Sequence, residues 1–169
     1  MSDTTPQWRP MTQNDLDGVV EVAALSFPDH PEDLECFANR LQINAEGCFV
    51  LADEAGAVKG YLVAYPWLRN AAPALNTLID ALPEPAQVIY LHDLAIHPGL
   101  RGGGHTRSVI EALAAAAKAR GYPLISLVAV NNASGFWARN GFEVRQPEGM
   151  AAKLESYGDD ACYMERSLT

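Results

Sequence analysis

One stretch, VIYLHDLAIHPGLRGGGHTRSVIEALAAAAKAR from Val88 to Arg120, constrains this chain more than any other. It opens on a run of β-branched and apolar residues too rich in Val, Ile and Leu for a surface strand, interrupted only by His92 and Asp93. The run predicts a buried strand over 88–97. It closes on an alanine-rich segment that predicts a helix over 105–120, with Val109, Ile110, Leu113, Ala116 and Ala117 on one face. Pro98 and Gly99 stop the strand. Between them, Arg101-Gly102-Gly103-Gly104-His105-Thr106 offers a row of backbone N–H groups with little side-chain bulk over them. A loop opening in this way into a helix N-terminus suits an anion, because the first N–H groups of a helix are unpaired and its dipole end is positive.

Glycine clusters also serve as plain strand-to-helix turns, so the spacing has to decide. The terminal Gly-Lys-Ser/Thr of a P-loop is absent, and the three-glycine dinucleotide spacing is not met. The order is instead Leu94-Ala95-Ile96-His97-Pro98, two residues, then Arg101-x-x-Gly104-x-Thr106. It resembles the acetyl-CoA motif of the GNAT superfamily of N-acetyltransferases, in which a strand ending Leu-Ala-Val precedes Arg/Gln-x-x-Gly-x-Gly/Ala. Thr106 stands where the family prefers Gly or Ala, and its hydroxyl can itself donate to a phosphate. A second stretch, NNASGFWARNGF from Asn131 to Phe142, is similar to the family's other signature: an Asn, a small residue, an aromatic and then Gly-Phe. With both signatures in the family's order, the resemblance covers nearly the whole chain. It implies an α/β (α+β) fold, a mixed central sheet of about six to seven strands flanked by helices, with the acetyl-CoA loop between strand 88–97 and helix 105–120.

Patterning elsewhere agrees with that frame. Trp8 to Met11 predicts an opening strand, and Thr12 with Asp15 a helix start, followed by an apolar face of Leu16, Val19, Val20, Ala23 and Ala24. After a break at Ser26–His30, a second helix is expected from near Pro31 through Leu34, Phe37, Ala38 and Leu41, ended by Gly47. Cys48–Asp53 and Val58–Tyr65 read as an antiparallel hairpin. The stretch 66–86, with Pro73, Pro83 and Pro85 around Leu75, Leu78, Ile79 and Leu82, reads as a helical insertion over one end of the sheet, open to a role as a substrate lid. Leu124–Val130 is a second buried strand, and strand, helix, strand implies a right-handed parallel crossover. Ala133–Asn140 predicts a short helix, Phe142–Arg145 a strand, 146–160 a polar loop, and Ala161–Arg166 a last strand.

With 169 residues the chain suits one domain over 1–169. A formal net charge of −9 argues against nucleic acid as a partner, which needs a basic face, and mildly favours a cationic substrate. No apolar run reaches spanning length and Met1–Thr5 is not a basic-then-apolar leader, so a cytoplasmic protein without a membrane role is expected. Cys36, Cys48 and Cys162 are widely spaced and read as core thiols, with no metal site expected. The C-terminal strand can pair across a homodimer, although no exposed seam demands it.

Forming an amide from a thioester needs the thioester held, its carbonyl polarised and the amine neutral, because an ammonium has no lone pair. By resemblance, backbone groups of Leu94, Ala95 and Ile96 hold the pantetheine arm and thioester oxygen, and Arg101, Gly102, Gly103, Gly104, His105 and Thr106 hold the pyrophosphate. Asn131 or Asn132 meets the CoA arm. His92 is the first candidate for the base, since the strand around it is similar to that of the arylalkylamine N-acetyltransferases; a hydrogen-bonded core histidine is the competing reading. Asp93 is the second candidate, against a buried carboxylate bonding loop amides, and strand alternation sets it on the opposite face from His92. His97 reads as a strand-end residue, and the His105 side chain as facing solvent. The family's usual tyrosine acid is replaced by Trp137, which packs on the CoA arm or caps the core. Tyr157 and Tyr163 are the tyrosines available near the C-terminus, and the thiolate can also leave unassisted. Phe27, Asp29 and Trp67 are candidates to hold the amine. The expected activity is acetyl transfer from acetyl-CoA, as co-substrate, to a small primary amine. The alternatives are a protein or peptide acetyltransferase and a non-catalytic acetyl-CoA sensor.

Overall fold

The computed structural model describes residues 6–28, 32–74, 77–100, 103–130 and 132–169. Within them run β1 (Gln7–Pro10), α1 (Leu16–Ser26), α2 (Leu34–Ile43), β2 (Cys48–Ala52), β3 (Val58–Trp67), β4 (Val88–Ile96), α3 (His105–Ala119), β5 (Leu124–Ala129), α4 (Ser134–Arg139), β6 (Glu143–Arg145), α5 (Ala151–Tyr157) and β7 (Cys162–Ser167). The strands make one seven-stranded sheet in the order β1-β2-β3-β4-β5-β7-β6. Every neighbouring pair is antiparallel except β4 and β5. The predicted parallel crossover is therefore the joint between two antiparallel halves.

Alternation along β3 divides the core. Tyr61, Val63 and Tyr65 face α1 and α2 on one side, with Val19, Val22 and Phe37 packed against them. Leu62 and Ala64 face α3 on the other, where Ile110, Leu113 and Ala117 cover Ile89, Leu91 and Ile125. On α3 the buried set includes Ala114 and leaves Ala116 exposed, a small rotation from the expected face. Thr12 and Asp15 form the predicted capping box, with the Thr12 N–H donating to Asp15 at 2.8 Å. A two-pronged ion pair from Arg9 then holds the Asp15 carboxyl below its usual range.

Two connections depart from expectation. The described part of 66–86 contains no helix. Its polar backbone is satisfied by side chains of the body instead: Asn39 bonds Ile79 in both directions, Arg40 donates to the Thr77 carbonyl, and the Tyr157 hydroxyl donates to that of Pro73. Arg69 anchors its start on Glu165 at 2.9 Å. With such partners and four prolines, the segment has no need of helical hydrogen bonds. The expected loop 146–160 contains α5, because Ala151-Ala152-Lys153-Leu154-Glu155 are strong helix formers and Met150 and Tyr157 bury themselves in the core. Leu75, Asn76 and the expected start of the second helix at Pro31 lie outside the described residues.

Candidate active site

The parallel joint is short. Only Ile89–Ile125 and Tyr90–Ser126 are registered as partners, after which β4 and β5 diverge. Beyond Tyr90, the backbone N–H and C=O groups on the β5 side of β4 have no ladder to satisfy them. A cavity of about 700 Å³ opens there, bounded by Leu91 to Ile96 of β4, by Leu127 and Val128 of β5 and by Val130 just after it. This size lies in the range of small-molecule sites.

At one end of the cavity is the start of α3. Gly104 occupies the N-cap position with φ of +80°, and a Cβ built on it would meet nothing within 4 Å. Glycine is there for its backbone angle, which turns the loop so that the first N–H groups of a 15-residue helix face outward. Thr106 lines the cavity beside it, as does half-buried His105, whose ring lies against Gly103. Its carbonyl accepts the Trp8 indole N–H at 2.9 Å, tying β1 to the helix start. Gly103 is exposed next to it. Arg101, Gly102 and Asn131 lie outside the described residues. Asn132 is exposed, donates its backbone N–H to Asp160, and is not part of the cavity wall. Trp137 lines the cavity and packs edge-on against Phe142 at 5.4 Å.

At the other end are His92 and Asp93. Their arrangement corrects the expectation that they face opposite ways. Val63 pairs with Asp93 and Ala64 with Leu91, so His92 is the extra residue of a β-bulge. The bulge cancels one step of alternation, and both side chains lie on the α1–α2 side of the sheet. There the Tyr61 hydroxyl donates to Asp93 Oδ2 at 2.5 Å, and Tyr65 meets His92 Nδ1 at 3.2 Å. His92 Nε2 lies 2.6 Å from Oε1 of Glu32, the two side chains being 3% and 8% exposed.

These contacts set proton positions. In a neutral imidazole, Nε2–H donates to Glu32 and Nδ1 accepts from Tyr65, whose hydroxyl is kept protonated by burial. Both nitrogens of His92 are then engaged. Asp93 is different: burial first, and the nearby Glu32 charge in addition, push its carboxyl up to about 7, against His92 and the Tyr61 bond, which pull it down. A carboxyl at that value is suited to exchanging protons near neutrality.

Around these groups the wall is Ala23, Ser26, Phe27, Glu32, Phe37 and Tyr157. Trp67 and the rest of the described insertion are not among the residues lining it. Asp29 lies outside the described residues. Tyr157 reaches the cavity but its proton is given to the Pro73 carbonyl, and Tyr163 is buried away from it, bonded to Glu165 and Asn70. His97 ends the strand and accepts the Gly99 N–H. Glu32 is the functional candidate that the sequence did not disclose. It lies in an unpatterned link between two helices, 60 residues from His92, and no local motif marks it. Among the described residues no cluster suited to a metal ion occurs, and no helix is long and apolar enough to cross a membrane.

The model of the acetyltransferase (GNAT) family matches residues 16–142 of this chain. Comparison with curated proteins finds no match. Among solved structures, Ard1 from Thermoplasma volcanium is similar with a TM-score of 0.73 and 15% identity, covering 98% of this chain and 99% of that one. A GNAT-like decarboxylase, GphF, in complex with isobutyryl-CoA reaches 0.80 at 17% identity over 96% and 100% of the two chains. The family member YhbS from Escherichia coli, in complex with CoA, gives 0.64 at 17% over 100% and 84%. At these identities the structural likeness concerns the fold.

Proposed function

Because the chain belongs to the acetyltransferase (GNAT) family, we propose that it transfers an acetyl group from acetyl-CoA to the primary amine of a small molecule. The observation that carries this reading is the continuity of one cavity from the N-terminus of α3, through the opening between β4 and β5, to the bulge bearing His92 and Asp93. A chemical group brought in along the opening meets the proton-handling residues at its far end.

The residues present fit acetyl-CoA. Gly104 and the first turn of α3 suit its pyrophosphate, and the unpaired side of β4 from Leu94 to Ile96 suits an amide-bearing arm. Thr106 and Trp137 would flank it. When bound, acetyl-CoA supplies an acyl group activated as a thioester. This chain's own contribution is to bind and deprotonate the amine. The acidic end of the cavity attracts the ammonium, Asp93 takes its proton, and Glu32 and Tyr65 hold the His92 ring in place. The freed lone pair would attack the thioester carbonyl, the C–N bond forming as the C–S bond breaks, and the proton still to be lost by the product nitrogen would pass to the departing thiolate, a weakly basic leaving group that needs no tyrosine acid.

CoA release measured with a panel of amines and amino-terminal peptides tests the reading, comparing wild type with Asp93→Asn and His92→Ala. Turnover of a small amine that falls about 100-fold or more in Asp93→Asn is expected. Full activity in that variant with loss only in His92→Ala would return the base to His92. One observation favours a second reading, a non-catalytic acetyl-CoA sensor: position 137 carries an indole, which donates no proton to a thiolate. Tight acetyl-CoA binding with no transfer to any member of the panel would establish that reading. Turnover confined to peptides would make the acceptor a protein.

A further inference from the structure

A second cavity, of about 380 Å³, lies between α3 and the β1–β2 edge of the sheet, and it shares no lining residue with the cavity at the seam. Phe49, Ala64 and Ile89 from three neighbouring strands line it, facing Val109, Leu113 and Ala117 of α3. Small side chains keep it open. Ala64 stands between two larger residues on the sheet, and Ala112 and Ala116, one turn apart, leave the near face of the helix low. The volume lies in the range of small-molecule sites.

Its chemistry selects a ligand. The polar side chains among its inner residues are already engaged with this chain's own backbone: the Trp8 indole N–H donates to the His105 carbonyl, the Asn44 amide to the Ala64 carbonyl, and the Ser108 hydroxyl to the His105 carbonyl. Water held against such a wall gains few hydrogen bonds, whereas hydrocarbon loses none. The rim is different. Arg9, Arg120 and Glu46 border the cavity, a local excess of positive charge in a chain whose formal net charge is −9. Arg9 is committed to Asp15 by two bonds at 2.8 Å. Arg120 is held far less: its partner Glu46 is 3.3 Å away, the two side chains are 43% and 74% exposed, and pairs of that kind contribute little. A carboxylate arriving with a chain anchored in the cavity can take the Arg120 guanidinium in a two-pronged bond while Glu46 turns to water. An ammonium in the same place meets two arginines and an acid that already has a partner. We propose that this cavity is a second ligand site, independent of acetyl transfer, for a free alkanoate whose hydrocarbon chain lies against Phe49, Ala64 and α3 and whose carboxylate is held by Arg120.

Trp8 supplies the reporter, since its indole N–H belongs to the cavity wall and its nuclear magnetic resonance is identified by its loss in Trp8→Phe. The protein is titrated with hexanoate, heptanoate, octanoate, octylamine and 1-octanol, each below its micelle concentration. Octanoate should move the Trp8 resonance, with affinity rising about three- to fourfold for each methylene added from hexanoate, and octylamine should bind at least about tenfold more weakly. Two variants at exposed positions separate chain from head group. Ala112→Phe fills the cavity and should abolish the response to octanoate and 1-octanol alike. Arg120→Ala should weaken octanoate about fivefold and leave 1-octanol unchanged, a comparison that stands even if the phenylalanine variant folds poorly. An unmoved Trp8 resonance with octanoate overturns the proposal, as does equal affinity for octanoate and octylamine. So does octanoate binding that Arg120→Ala or a well-folded Ala112→Phe leaves unchanged. A response to vesicles of anionic phospholipid with none to octanoate also overturns it, because the occupant would then be a membrane surface.

Discussion

Asp93 carries a measurable consequence for both stability and rate. Its carboxyl stands near 7 in the folded protein, chiefly through burial, against 3.8 for an ordinary aspartate. Between roughly pH 4 and 7 the folded chain therefore retains a proton that the unfolded chain has released, and stability from this group falls as pH rises through that window, levelling above it. Asp93→Asn removes the dependence. Urea unfolding at pH 4.5 and pH 8 should show the variant gaining on wild type as pH rises, and parallel pH curves for the two proteins would refute the assignment. The rate gives an independent check. As a base, Asp93 is active when ionised, so kcat should rise across pH 7. Tyr61→Phe deletes a bond that favours the ionised form, which should move that rise to higher pH by about one unit. An unmoved profile would place the titrating group elsewhere.

At the scale of elements, the decisive piece is the strand, loop and helix from Val88 to Ala119, and it was also the most legible. An apolar β-branched run and an alanine-rich helix carry their periods openly, and a glycine that must hold φ of +80° marks the junction between them. The charge of that junction is open to test. Gly104→Ala strains the backbone by about 1–2 kcal/mol without a clash, since nothing lies within 4 Å of the new Cβ. Gly104→Glu adds a carboxylate where an anion is expected, and should weaken acetyl-CoA binding about tenfold beyond the alanine variant, the excess shrinking as salt is raised. Equal affinities for the two variants would mean that the helix start does not meet the pyrophosphate. What stayed illegible has physical causes. The bulge at His92 depends on how β4 registers with β3, and a two-residue polar interruption of an apolar run does not reveal a slipped register. The insertion looked helical by its leucines, yet its backbone partners come from Asn39, Arg40 and Tyr157 far along the chain. Short α5 was hidden behind the polar, Pro- and Gly-containing Gln146–Gly149.

For the molecule as a whole, the sheet is two antiparallel blocks, β1 to β4 and β5-β7-β6, joined by a parallel seam of two registered pairs. α3 and its apolar contacts across Ile89, Leu91, Ile125 and Leu127 supply much of what else holds the blocks together. The cavity that takes the proposed co-substrate is the unzipped part of that seam. A ligand bonding the open side of β4 while packing against Val128, Val130 and Trp137 would complete the sheet with its own atoms, so binding should act as a clamp between blocks. At about 100 times its Kd, such a ligand adds about 2.7 kcal/mol to unfolding, which for a chain of this length raises Tm by roughly 5–10 °C. The location matters more than the size. Amide hydrogen exchange with and without acetyl-CoA should slow at Leu91–Ile96, at the end of β5 and at the first turn of α3 together, because one ligand holds all three against opening. The second apolar cavity, between α3 and the strands bearing Trp8 and Phe49, supplies the contrast. Protection centred there, with β4 unchanged, would show that the ligand avoids the seam and would detach the bulge residues from the chemistry assigned to them.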